Sequence, residues 1–409
     1  MALTQDSLDP RQKWRALLLL SLAELLAMAA WFSASAVVSA LSSDWSLDAS
    51  QQAWLTISVQ LGFVAGAFGS ALLNLADRVP ARWFFAVSAL LAALSTALIP
   101  ALATGLGLAL LLRLFTGFFL AGVYPTGIKI VATWTQKDRG LGIGLLVGAL
   151  TLGSAAPHLL NAFGGVGDWR LVLYLAAALA ALGGGLAALF VDEGPYRVAA
   201  PRFNYKYVGQ VLRDREIVLA NLGYLGHMWE LYAMWAWLPV FLTSSFRLRG
   251  VDPVWASVTA FAVIGIGGLG SLVAGHLADS IGRTTISIAA LLVSGTCALL
   301  IGRLYGGNPL LLVVVSLLWG LTVVADSAQF SACVSELSHA QYIGTALTLQ
   351  TSLGFLLTCV TIRLIPSLEA RVGWEWTFAF LAPGPLVGVW AMSVLRRAPA
   401  VARLAGGRG

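Results

Sequence analysis

Two glutamates lie inside apolar runs half a chain apart, in Glu24-Leu-Leu-Ala-Met28-Ala-Ala-Trp31-Phe32 and Glu230-Leu-Tyr-Ala-Met234-Trp-Ala-Trp237-Leu238. A carboxylate can take up and release a proton or hold a cation. In hydrocarbon it costs roughly 2.5–3.5 kcal/mol even on the gentlest scale. Six of the nine positions agree between the segments, so the chain bears that cost twice, at matching places. Residues at i, i+4 and i+7 share one helix face. Glu24, Met28 and Trp31 therefore form one stripe, and Glu230, Met234 and Trp237 a second, joined by His227 one turn earlier. Further ionisable residues interrupt other apolar runs: Arg113, with Tyr124 later in the same run, and Asp326, with Gln329 on its face. Burial raises a carboxylate pKa and a neighbouring arginine lowers it, so Arg113 is a candidate partner for a glutamate.

The elements that must position these groups are membrane helices. Hydrophobic residues make up 58 % of the 409-residue chain and charged residues 11 %, with a mean hydropathy of +0.83. A soluble globular protein carries about 25 % charged residues, so this surface faces lipid. Runs of spanning length predict about twelve helices. Six lie near residues 16–41, 52–75, 83–103, 107–133, 140–162 and 169–191, and six near 217–244, 253–277, 284–304, 309–333, 341–366 and 374–395. The expected organisation is an N-terminal six-helix bundle (1–191), a cytoplasmic linker (192–216) and a C-terminal six-helix bundle (217–409). The first apolar run is too long for the core of a signal peptide and is read as the first span. Basic residues concentrate before the first span, after the second, in the linker and at the C-terminus. By the positive-inside rule both termini are expected in the cytoplasm.

Other classes find little support. The +6 net charge is spread over short loops, which argues against nucleic acid. Cys297, Cys333 and Cys359 are scattered through apolar runs and read as packing rather than disulfides or a metal site. The methionine stripe lacks a His/Cys cluster, so no metal is expected. Gly265-Ile-Gly267-Gly-Leu-Gly270 spells a dinucleotide fingerprint but sits mid-span, without the strand and helix start that motif needs. No cofactor is expected. The absence of H-E-x-x-H and G-x-S-x-G argues against an intramembrane enzyme.

A second repeat carries a resemblance. Gly275-His-Leu277-Ala-Asp279-Ser-Ile-Gly282-Arg283 follows the eighth span, and Leu75-Ala76-Asp77-Arg78-Val79-Pro80-Ala81-Arg82 follows the second. The two aspartates are 202 residues apart and the two glutamates 206, so one duplication covers the chain. The later segment resembles the G-x-L-x-D-R-x-G-R signature of the major facilitator superfamily; the earlier is a worn copy, with Pro80 and Ala81 in place of a glycine and an arginine. Arg113-Leu-Phe-Thr-Gly117 resembles the family's fourth-span R-x-x-x-G element.

The resemblance implies an all-α fold of two pseudo-symmetric six-helix halves. It further implies alternating access around a midplane site and a breakable cytoplasmic latch made by Asp77, Arg78, Gly275, Asp279, Gly282 and Arg283, the glycine giving close helix contact. The expected function is secondary active, proton-coupled transport of a small polar or organic solute, as a monomer in the cytoplasmic (inner) membrane. Arg113 leaves room for an organic anion; Glu24, Glu230 and Asp326 leave room for a cation. The alternative is proton-coupled efflux of drugs or organic cations, against which the fifth span lacks the glycine-proline signature of drug antiporters.

Overall fold

The computed structural model describes residues 10–135, 139–163, 168–196, 203–339 and 341–408, and leaves out the side chains of residues 76, 77, 139 and 140. Asp77 of the first latch copy thus lies outside the described side chains. The described residues form helices joined by short turns. The first half comprises α1 (Pro10–Met28), α2 (Ser33–Ala36), α3 (Val38–Trp45), α4 (Ala49–Leu73), α5 (Leu75–Arg78), α6 (Ala81–Leu102), α7 (Leu106–Leu120), α8 (Tyr124–Trp134), α9 (Arg139–Phe163) and α10 (Trp169–Phe190). After α11 (Val208–Val211) come α12 (Arg215–Arg247), α13 (Pro253–Ile281), α14 (Arg283–Ile301), α15 (Pro309–Val323), α16 (Ser327–Leu337), α17 (Ile343–Val372), α18 (Trp374–Thr377) and α19 (Pro383–Arg396).

Among the described residues, ten segments are long and apolar enough to cross a membrane. The two further long segments, α1–α3 and α12, are those that carry Glu24 and Glu230. Their lower apolarity has a structural cause: α12 is buried along most of its length, and a helix hidden from lipid needs no apolar exterior. Glu230 thus lies on a helix buried along most of its length, and Glu24 on one that keeps an exposed face at Leu18 and Leu22.

Each half is a bundle in which small residues set the helix spacing. A Cβ on Gly62 of α4 would lie 1.9 Å from the Leu114 carbonyl of α7, and one on Gly270 of α13 would lie 1.9 Å from the Leu321 carbonyl of α15. The fingerprint-like run around Gly270 is therefore a helix-packing surface. The halves meet along α9 against α13 and α4 against α17. At the first of these a Cβ on Gly268 would lie 3.0 Å from the Gly148 carbonyl.

Among the described residues four spans are interrupted, the twelfth of them between α18 and α19. The first breaks at residues 29–32, the fourth between α7 and α8, and the tenth between α15 and α16. Tyr124 opens α8 and Asp326 immediately precedes α16. The two are 202 residues apart, the offset of the latch aspartates, so the fourth- and tenth-span breaks are equivalent features of the two halves.

Candidate functional site

Glu24 on α1 is 0 % exposed and Glu230 on α12 is 1 % exposed, yet their surroundings differ. Glu230 is saturated: Oε1 accepts from Trp319 Nε1 at 2.6 Å and Oε2 from Ser294 Oγ at 2.9 Å. Neither carboxylate oxygen of Glu24 has a hydrogen-bond partner among the described residues. Its carboxylate abuts α8, where a Cβ on Gly127 would lie 3.1 Å from Oε2. Tyr124, one turn before Gly127, is within electrostatic reach. Sequence identity made the glutamates equivalent; the helices facing them do not.

Arg113 pairs with neither glutamate. Its Nη1 donates to Ala30 O at 2.9 Å and to Ser33 Oγ at 3.2 Å, its Nε donates to Leu55 O at 3.3 Å, and its Nη2 donates to Trp31 O. The break after Met28 frees carbonyls that no α-helical N–H serves, and a buried guanidinium supplies the donors. The break puts Trp31 outside the regular helix that carries Glu24. Met28 remains on it, against α9, where a Cβ on Gly153 would lie 2.8 Å from Met28 Cβ.

Trp31 turns into an aromatic cluster shared by the halves. Its ring centroid lies 4.9 Å from Phe63, 5.6 Å from Phe355 and 6.2 Å from Tyr232, and Phe63 lies 4.5 Å from Phe355. On α12, Met234 and Trp237 are buried, and Trp237 Nε1 donates to Ile362 O at 3.0 Å. His227 Nδ1 lies 2.9 Å from Asp326 Oδ1 with both side chains buried. The contact is at ion-pair distance without hydrogen-bond alignment, and His227 Nε2 has no partner among the described residues. The tenth-span break delivers Asp326 to α12, so this residue is at once a break residue and an interior acid.

At the turn between α13 and α14, Arg283 begins α14. Its Nη2 donates to Glu336 Oε1 at 2.6 Å, its Nη1 to Gln329 Oε1 at 3.0 Å, and its Nη2 lies 3.6 Å from Asp279 Oδ1. Gly282 has φ +113°, a conformation that disfavours any residue with a Cβ. Gly275 differs from expectation: a Cβ there would meet nothing within 4 Å, although Ala274 and Ala278 of the same stretch of α13 are buried. The C-terminal tail braces the cluster, with Ala405 N donating to Glu336 Oε2 at 3.0 Å and Arg408 Nη1 to Asp279 O at 2.7 Å.

In the first half, Arg78 ends α5 exposed to solvent. The linker occupies the worn copy: Glu193 Oε1 accepts from Ala81 N at 2.6 Å, and Arg82 Nη1 lies 3.1 Å from Asp192 Oδ1. Trp319, Ser294, Glu336 and Glu193 escaped sequence reading. The only signal for Glu336 and Glu193 was an acid close to the end of a span, a feature of many surface loops.

The comparisons place the chain. A sequence model described as the Major Facilitator Superfamily matches residues 20–362, and the chain belongs to this family of membrane transporters. It is 30 % identical over 168 residues to the uncharacterized transporter YgaY of Escherichia coli, in strain K12 and in O157:H7, covering 41 % of this chain. The match spans 42 % of the length of those relatives. The fold is that of the nucleoside transporter NupG, solved as a point mutant, with TM-score 0.67, 17 % identity, and 93 % of this chain and 99 % of that chain covered. It is also that of a bacterial homolog of the human lysosomal transporter Spinster, in an inward-facing and occupied conformation, with TM-score 0.68, 16 % identity, and 95 % and 98 % covered.

Proposed function

We propose that this chain is a proton-coupled secondary active transporter that moves a small organic solute by alternating access around a site between α1 and α12, with Glu24 as the titrating carboxylate. One observation carries the reading: Glu24 is buried within the first span with both oxygens unpartnered among the described residues. Buried polar groups are satisfied in the great majority of cases, and an exception calls for a role. An intramembrane acid is by default a functional group, and Glu230, with one donor on each oxygen, is the contrasting case within the same chain.

The aromatic cluster of Trp31, Phe63, Tyr232 and Phe355 joins the halves around this interior, and the Arg283–Glu336 cluster with its tail brace lies at the cytoplasmic end. Both suit a contact made in one access state and broken in the other. The basic-residue asymmetry supports cytoplasmic termini in an inner membrane, and two fused halves need no second copy to complete the site.

The test is solute flux in proteoliposomes under an imposed pH gradient, after a thermal-shift screen of organic anions, organic cations, sugars and nucleosides, in which a bound solute raises stability by mass action. Gradient-dependent flux in the wild type, uncoupled from the gradient in Glu24→Gln, is expected. Flux indifferent to the gradient, with Glu24→Gln behaving as wild type, refutes proton coupling through Glu24.

A further inference from the structure

We infer that the groove between α14 and α15 holds one acyl chain of an anionic phospholipid, and that Arg303 at its end receives the lipid phosphate. The site lies on the lipid-facing surface and is independent of the solute that the chain carries.

Among the described residues three arginines lie over an indole ring, and two of them have a carboxylate partner. Arg82 lies 5.4 Å from the Trp83 ring centroid, and its Nη1 is 3.1 Å from Asp192 Oδ1. Arg170 lies 4.3 Å from the Trp169 centroid, and its Nη2 is 3.5 Å from Asp44 Oδ2. Arg303, in the turn Gly302–Leu304 after α14, lies 3.5 Å from the Trp376 centroid. It is the closest stack of the three, yet Arg303 has no hydrogen bond or ion pair among the described residues. The acid next to Trp376, Glu375, turns its Oε2 back toward Gly373. Stacking holds the guanidinium plane and leaves the donors on its edge open, in the fork that suits a phosphate.

The turn that carries Arg303 is fixed to its surroundings. Gly306 N donates to Ser245 Oγ at 3.0 Å, Arg249 Nε donates to Gly306 O, and the Tyr305 and Ser244 hydroxyls lie 2.6 Å apart. Gly302 lets the turn reach α18: a Cβ there would lie 2.3 Å from the Glu375 carbonyl oxygen. The open donors therefore sit on a placed side chain.

Beside this arginine runs an apolar groove of about 290 Å³, lined by Leu292, Val293, Thr296 and Leu300 of α14 and Val315 and Leu318 of α15. Leu292, Thr296, Leu300 and Arg303 follow at spacings of four, four and three, so they share one helix face. The groove asks for no hydrogen bond, because its hydroxyl, Thr296 Oγ1, donates to Leu292 O at 2.7 Å. From Leu292 to Leu300 the helix rises about 12 Å at 1.5 Å per residue. One leaflet of a hydrocarbon core about 30 Å thick supplies about 15 Å. Arg303 thus stands at the depth of that leaflet's phosphates, and half-exposed Trp376 is a residue type that favours this depth.

Lipid covers every outward face of a membrane protein; a bare positive charge at the head of a chain-length groove selects among lipids. A zwitterionic headgroup brings a second cation to a place that already holds one, and an anionic headgroup does not. One arginine at a membrane surface favours an anionic lipid roughly 5-fold.

The test titrates the purified full chain in detergent micelles with dioleoyl phosphatidylglycerol or dioleoyl phosphatidylcholine and counts bound lipids by native mass spectrometry. Arg303→Gln should weaken phosphatidylglycerol binding roughly 5-fold and phosphatidylcholine binding less. Arg371→Gln, at the far end of α17, should change neither. Thr296→Trp keeps Arg303 and fills the groove, and should weaken both lipids. Soluble sn-glycerol 3-phosphate, a headgroup phosphate without chains, should not displace the bound lipid. All three substituted residues are exposed, so no substitution enters the core. Phosphatidylglycerol binding unchanged in Arg303→Gln, or weakened equally by Arg371→Gln, overturns the inference. So does retention of both lipids in Thr296→Trp at the wild-type level, or displacement by glycerol phosphate, since either would separate the arginine from the groove.

Discussion

Replacing each repeated glutamate by the near-isosteric methionine should give unequal effects on stability, and the difference is computable from the two environments. Both substitutions remove a buried carboxylate and add a similar apolar side chain, so the transfer contribution is common to both and cancels in the comparison. What remains is the donors left behind. Glu24→Met orphans none among the described residues, because neither oxygen is bonded. Glu230→Met removes two hydrogen bonds, orphaning the Trp319 indole N–H and leaving the Ser294 hydroxyl only the longer contact to Leu291 O at 3.3 Å. Hydrogen bonds between membrane helices average about 0.6 kcal/mol and reach about 1.7 kcal/mol in double-mutant cycles. Two of them, one at 2.6 Å, place Glu230→Met about 1–3 kcal/mol below Glu24→Met. Reversible unfolding of both variants in mixed micelles, followed by tryptophan fluorescence, measures the gap. Equal stabilities within about 0.5 kcal/mol, less than one average bond, would refute the assignment of Glu230 as satisfied and Glu24 as reserved for a ligand. Glu24→Met is also expected to be at least as stable as wild type while losing transport, the usual relation where a site is held at a cost in stability.

Arg113→Lys should loosen the first span without unfolding the bundle, since a lysine point donor cannot span acceptors on Ala30, Trp31, Ser33 and Leu55 as a planar guanidinium does; faster hydrogen exchange confined to residues 29–36 is the expected result, and exchange unchanged there would argue against the clamp. Glu336→Gln should weaken the Arg283 cluster and speed maleimide labelling of buried Cys333, one turn away on α16, with removal of residues 399–409 acting in the same direction through loss of the Ala405 and Arg408 contacts; labelling at the wild-type rate in both would dissociate the cluster from closure of this end of the bundle.

Much of the architecture was legible because lipid leaves few options. Without water to satisfy backbone groups, long apolar runs must be helices, and a duplicated motif at nearly one offset identified two halves. The interior position of Glu24, Met28, His227, Glu230, Met234 and Trp237 followed from helical spacing, and the structure buries all of them. Trp31 is buried as well, in the aromatic cluster with Phe63, Tyr232 and Phe355, although the span breaks after Met28 with no proline to announce it. Spacing was silent on Arg113: arginine in an apolar run signals a partner, but carbonyls freed by a break in another helix have no sequence signature. Gly275 carried a motif letter without the close contact attached to it, whereas Gly282 has a backbone conformation that calls for glycine.

The sequence by itself determined that the chain lies in a membrane as two related helical halves and that acids sit within it, because composition and periodicity act along one chain and at short range. Only the packing of neighbouring helices settles that Trp319 and Ser294 donate to Glu230, that Glu24 has no donor among the described residues, and that Arg113 serves the backbone. Those outcomes depend on which side chains neighbouring helices present at a given depth, and two nearly identical segments can meet opposite answers there.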